Sequence, residues 1–145
     1  MNIASILDAK GWDVVTIEPD ALVLIALHEM TTRRIGALVV TNDGEQVRGI
    51  ISERDITRAL TQHGSGLLSL RVREVMSRHV PVCRPNETTA ECMLTMTRTR
   101  QRHLPVVVDG MLCGLVSIGD LVKNRLQELE LERNVLRQKY LVHQG

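Results

Sequence analysis

The sequence predicts an α+β fold of two β-α-β-β-α repeats packed against one another through their sheets, with a long helix closing the chain. The first observation is an echo. Gly49-Ile50-Ile51-Ser52-Glu53-Arg54-Asp55 returns as Gly114-Leu115-Val116-Ser117-Ile118-Gly119-Asp120. The second is register. Pro19 and Pro85, Met30 and Met96, Leu38 and Leu104, and Asp43-Gly44 and Asp109-Gly110 all stand 66 residues apart, and after the loop the offset becomes 65 (Gly49 to Gly114). The one-residue change falls in a loop, where length varies most freely. The third is size: a repeat of about 60 residues buries only a marginal core, so two copies are expected to share one.

Taken in order, Ile3-Ala4-Ser5-Ile6-Leu7 reads as a short amphipathic lead-in helix, and Lys10-Gly11-Trp12 as a turn. Val14-Val15-Thr16-Ile17 is extended and ends at Pro19-Asp20, where Asp20 is positioned to cap a helix carrying Leu22, Ile25, Ala26 and Met30 at helical spacing. Ala37-Leu38-Val39-Val40 has the β-branched composition of a buried strand. Asp43-Gly44 turns the chain into an antiparallel partner, Val47 to Ile51. Ser52 and Asp55 then start a helix as a capping box. Gly64-Ser65-Gly66 is the strongest linker signal.

The second copy repeats the scheme. Val72-Arg73-Glu74-Val75-Met76 leads in, Val80-Pro81-Val82-Cys83 is extended, and Asn86 follows Pro85 as the expected cap. Ala90, Met93 and Met96 mark the helix, and Leu104 to Val108 pairs with Met111 to Val116 across Asp109-Gly110. From Ile118 the last helix runs past its counterpart through Leu121, Val122, Leu126, Leu129, Leu136 and Tyr140. A stripe of that length predicts a partner, and a homodimer is expected. The resulting division is 1–63 for the first repeat with its lead-in helix, 64–70 for the linker, 71–124 for the second repeat, and 125–145 for the helical extension.

Composition narrows the function. A net charge of +1, no Phe, and Trp12 and Tyr140 as the only large aromatics argue against a nucleic-acid surface. No apolar run approaches a membrane span and the start lacks a signal-peptide pattern, so a cytoplasmic location with no membrane partner is expected. Cys83, Cys92 and Cys113 are widely spaced and the histidines form no i, i+4 pair, so the cysteines read as core residues and no metal site is expected. Ser52 and Ser117 have no evident base and there is no P-loop, so no catalytic residue is assigned and the chain is not expected to be an enzyme.

The two Ser-x-x-Asp turns admit two readings. They cap helices, and they also present polar groups where a strand end meets a helix N-terminus, a natural ligand position.

Three sets of residues resemble cystathionine-β-synthase (CBS) domains in a tandem pair, or Bateman module. They are Thr16-Ile17-Glu18-Pro19-Asp20 with Cys83-Arg84-Pro85-Asn86, then Arg102-His103-Leu104-Pro105-Val106-Val107, then the two Gly-x-x-Ser-x-x-Asp turns. The chain looks like a stand-alone protein of bacterial type. The resemblance implies pseudo-two-fold symmetry, clefts between the repeats, and adenosine-containing ligands such as AMP, ATP, NAD(H) or S-adenosylmethionine, with AMP favoured. It also implies a regulatory role exerted through shape or association on a protein partner. By the same resemblance Asp55 and Asp120 would bind ribose. Ser52, Arg54, Ser117, Arg102 and His103 would face phosphate, and Val15, Thr16, Pro81, Val82, Gly36, Ala37 and Pro105 would enclose adenine. The first copy has Gly36-Ala37 where the second has Arg102-His103, and the second has Gly119 where the first has Arg54. The phosphate-binding charge is therefore unequal, and one dominant site is expected.

Overall fold

A computed structural model describes residues 1–144 of the chain, with side chains described through residue 141. The elements run α1 (Ile3–Lys10), β1 (Thr16–Ile17), α2 (Val23–Arg33), β2 (Ala37–Val40), β3 (Gly49–Ser52), α3 (Glu53–His63), a 3-10 turn (Gly64–Ser69), α4 (Val72–Val75), β4 (Ser77–Arg78), α5 (Thr89–Thr99), β5 (His103–Val108), β6 (Met111–Ser117) and α6 (Ile118–Gln144). The α+β class holds, with one sheet ordered β1-β2-β3-β4 and a second made of β5 and β6.

Symmetry is visible in the pairing. In the first repeat Ile17 pairs parallel with Val40, and 66 residues on Cys83 forms a parallel bridge to Val106. β2–β3 and β5–β6 are both antiparallel, aligning Ala37 with Ser52 and His103 with Ser117. The extended stretch expected at Val80 to Cys83 is reduced to that single bridge, while the strand that forms nearby is β4, which adds to the first sheet. The helix caps also differ from expectation. Asp20 and Asn86 sit in turns, and the N-caps are Leu22 and, with its side chain accepting from Glu91 N at 3.1 Å, Thr88. Turns closed by Ala21 N donating to Glu18 O and Glu87 N to Arg84 O come before either helix starts.

The lead-in segments cross over. α1 places Ile3, Ile6 and Leu7 in the second repeat's core with Cys83, Cys92, Met96, Leu104, Val106, Val116 and Leu121. The 3-10 turn and α4 place Leu67 and Val72 in the first repeat's core, with Ile17, Val23, Met30, Leu38 and Ile51. The stretch read as a linker is thus packed, with Leu67 buried. Matching backbone bonds fix the exchange: Ile3 N to Glu87 O and Ala4 N to Pro85 O on one side, Val72 N to Ala21 O and Arg73 N to Pro19 O on the other. Neither sequence repeat holds its whole core alone. Each fully buried aliphatic side chain that crosses over stabilises the other half by about 1.5–3 kcal/mol.

Two glycines in matching strands differ in what they tolerate. A Cβ on Gly49 would overlap the backbone carbonyl of Ser77 in β4, whereas one on Gly114 would meet the Leu7 side chain at 2.6 Å. A carbonyl in a paired strand cannot rotate aside, but a leucine can change rotamer. Gly49→Ala is therefore expected to cost about 1–3 kcal/mol in urea unfolding, and Gly114→Ala distinctly less.

Candidate functional site

β3 ends at Ser52 and β6 ends at Ser117, and each serine hands the chain to a helix. Ser52 caps α3 in a capping box with Asp55. Ser117 Oγ accepts from Asp120 N at 3.1 Å, and Ser117 N donates to Asp120 Oδ2 at 2.8 Å. The loops before β2 and β5 are tied to the same turns, because Glu53 N donates to Gly36 O at 3.1 Å and Ile118 N to Arg102 O at 2.8 Å. Both loops leave their helices through a left-handed residue, Arg34 (φ 54°) and Arg100 (φ 56°). Two strand-to-helix turns and the loop before β5 thereby converge on one cavity.

That cavity measures about 580 Å³ and is lined by Gly36, Ile50, Ser52, Glu53, Arg54, Asp55 and Arg58 from the first sequence repeat, and by Ser77, residues 99–103 and residues 117–119 from the second. Of the residues assigned from sequence, it gathers Ser52, Arg54, Asp55, Gly36, Arg102, His103 and Ser117. Asp120, Val15, Thr16, Pro81, Val82, Ala37 and Pro105 are not on its wall. Ala37 and Pro105 are buried in β2 and β5, and Val82 is exposed. Sequence reading missed Arg58, Arg100, Glu53 and Ser77. Arg58 carries a legible signal, standing one helical turn after Arg54.

The charge on the wall is unbalanced: Arg54, Arg58, Arg100 and Arg102 face Glu53 and Asp55. Arg58 Nη1 lies 3.7 Å from Asp55 Oδ1. Among the described residues, Arg54, Arg100 and Arg102 make no ion pair. Burial holds the His103 imidazole below its usual range, and the Lys10 charge adds to this, so near neutral pH it offers one donor and one acceptor.

The two aspartates differ. Asp55 lies on the cavity wall but is only 4% exposed. Its Oδ2 accepts from Ser52 N and Ser52 Oγ, both at 2.9 Å, and its Oδ1 accepts from Ser77 Oγ at 2.6 Å. Asp120 is more open, and Lys10 Nζ donates to its Oδ2 at 2.6 Å and to Leu115 O at 2.8 Å. Burial pushes the Asp120 carboxyl up, but the Lys10 ammonium and the Ser117 N–H outweigh it and leave it below the usual range.

A carboxyl lowered by folding stabilises the fold above its unfolded value near 4, and that stability is lost as pH falls through its folded value. Lys10→Met is therefore expected to reduce the difference in urea midpoint between pH 7 and pH 3, and an unchanged difference would show that the pair is not coupled to folding.

Comparison with known proteins agrees with this architecture. The CBS domain profile matches residues 8–62 and 72–126. A mitochondrial CBS domain-containing protein of Arabidopsis thaliana, CBSX3, is 37% identical over 113 residues, covering 75% of this chain and 55% of its own length. The CBS-domain protein ATU1752 of Agrobacterium tumefaciens is 41% identical with a TM-score of 0.83, covering 86% of this chain and 99% of its own. The CBS domain pair of protein MJ0100, solved with 5′-methylthioadenosine and S-adenosyl-L-methionine, is 22% identical with a TM-score of 0.76, covering 85% of this chain and 98% of its own. The chain spans only about half the length of the curated plant relative. With two profile matches on two symmetric repeats that exchange their lead-in segments, the chain belongs to the CBS domain family as a tandem pair.

Proposed function

We propose that the chain is a regulatory module that binds an adenine nucleotide between its repeats and passes the bound state on through shape or association, as a homodimer acting on a protein partner. The observation that carries this reading is the convergence of Arg54, Arg58, Arg100 and Arg102 on one cavity. Guanidinium groups pair bidentately with phosphate oxygens, and two helix N-termini beside them favour the same charge. AMP is the favoured ligand, with ATP and NAD(H) as alternatives, and no catalytic step is assigned. The MJ0100 pair, which shares the fold, supports an adenosyl ligand class. Among the described residues no helix is long and apolar enough to cross a membrane.

In this reading Ser52, Ser117, Arg54, Arg102 and His103 meet phosphate, while Asp55 and Asp120 serve ribose. Val15, Thr16, Pro81, Val82, Gly36, Ala37 and Pro105 surround adenine. A ligand reaching Asp120 Oδ2 must displace Lys10 from it.

A dimerisation scaffold without a ligand is the second reading, favoured by how fully Asp55 is satisfied within the chain. Calorimetric titration with AMP, ATP and NADH, alongside thermal melts, decides between them. Saturation at a hundredfold excess over Kd is expected to add about 2.7 kcal/mol. No heat and no shift at millimolar ligand would reject the nucleotide reading, and nucleotide released on denaturing purified protein would reject the scaffold.

A further inference from the structure

Away from the cavity, on the second repeat, the Cys83 and Cys92 thiols and the Glu87 carboxylate bring their ligating atoms within 4.8 Å of one another. Cys83 is held by the bridge to β5, with its N–H on Pro105 O and its carbonyl accepting from Val107 N, both at 2.9 Å. Cys92 sits in the first turn of α5, and Glu87 lies in the turn just before that helix. The two cysteines are 2% and 1% exposed, while Glu87 is half-buried at the edge of the group.

The first repeat supplies an internal control. Subtracting the offset of 66 maps Cys83, Glu87 and Cys92 onto Ile17, Ala21 and Ala26. There the same positions are filled by aliphatic groups, and Ile17 and Ala26 are buried in the first core with Ala21 packed against it. The turn itself forms in both copies, through Ala21 N to Glu18 O and Glu87 N to Arg84 O, so a carboxylate is not needed to close it; in the second copy Glu87 Oε2 also accepts from Arg84 N at 2.5 Å, which leaves Oε1 for a ligand. All three substitutions between the copies replace an apolar side chain by a metal-ligating one, and all three meet at one point.

We propose that Cys83, Cys92 and Glu87 form a binding site for a soft, tetrahedral divalent cation of the zinc class. Two thiolates and one carboxylate suit such an ion, which leaves its fourth position to water on the half-buried Glu87 side. In a tetrahedral site with Zn–S bonds near 2.3 Å the two sulfurs stand about 3.8 Å apart, so the group closes on an ion with side-chain movement of about an ångström or less. Binding as two thiolates displaces the protons of both thiols, which are released to solvent.

The test is a cobalt titration of the reduced, chelator-stripped full chain, followed by its thiolate-to-cobalt charge-transfer absorption and by competition with zinc. Saturation at one cobalt per chain is expected, with tetrahedral visible bands that zinc bleaches. Glu87→Gln, at a half-buried position, is expected to weaken cobalt binding at least about tenfold while the bands persist at higher metal. The triple variant Cys83→Ile, Glu87→Ala, Cys92→Ala, which copies the first repeat's packing, is expected to fold with the same circular dichroism and show no charge-transfer band. Cys113→Ser is expected to bind as the parent does. No charge-transfer band in the parent at excess cobalt, or a band that survives the triple replacement, would overturn the site.

Discussion

The double variant Arg54→Ala, Arg102→Ala is expected to bind AMP about 100-fold more weakly than the parent, with its unfolding midpoint nearly unchanged. Charge-assisted hydrogen bonds contribute about 1.5–3 kcal/mol each, and 1.4 kcal/mol is a factor of ten, so even partial contacts from two guanidiniums reach that figure. Stability is spared because both side chains are exposed and neither has an ion-pair partner among the described residues. Removing them also relieves repulsion with Arg58 and Arg100 on the same wall. Calorimetry with AMP and with adenosine makes the comparison specific: the loss should appear for AMP and vanish for adenosine. An equal loss for both ligands would place the arginines in a steric rather than a phosphate role. An unchanged AMP affinity would move the phosphate elsewhere, for instance to the basic hollow of about 490 Å³ beside Arg48, Arg73 and Arg78.

That convergence was only half legible in the sequence. The repeat offset placed the strands and turns because symmetry-related residues must do the same mechanical work, and Ser52 and Ser117 do cap matching helices. Arg54 and Arg102 could be named, but nothing in their spacing said that they share a wall, since they come from different repeats. Arg100 escaped notice because its place depends on a left-handed residue ending α5. The crossover of α1 and α4 was also hidden. An amphipathic segment announces that one face will be buried, but not against which neighbour. The crossover is what brings Lys10, 110 residues away in sequence, onto Asp120. It also explains why the two aspartates, identical in motif, have different surroundings. Asp55 finds Ser77 from the β4 segment, where Asp120 finds a lysine.

From that difference a second large effect follows. Asp55→Ala is expected to lower the unfolding free energy by about 3 kcal/mol, and Asp120→Ala by no more than about 1 kcal/mol. Both substitutions remove the carboxylate that accepts from the preceding serine's backbone N–H, a capping interaction worth about 1 kcal/mol. In the first repeat the loss goes further, because Ser77 Oγ and Ser52 Oγ, half-buried on the cavity wall, both lose their charged acceptor, a carboxylate on a residue only 4% exposed. A hydrogen bond to a charged acceptor contributes about 1.5–3 kcal/mol. In the second repeat the partner left behind is Lys10, whose side chain is 40% exposed and can be taken up by solvent. A double-mutant cycle of Asp55→Ala with Ser77→Ala should return a coupling of about 1 kcal/mol or more, because Ser77→Ala removes the donor that the first change strands. Equal destabilisation by the two aspartate variants would mean that both turns act only as helix caps. The expected inequality instead separates their work: Asp55 joins the two sequence repeats through the β4 segment, and Asp120, held by Ser117 N and an exposed lysine, would in the proposed reading be the carboxylate that a ligand recruits at small cost to the fold.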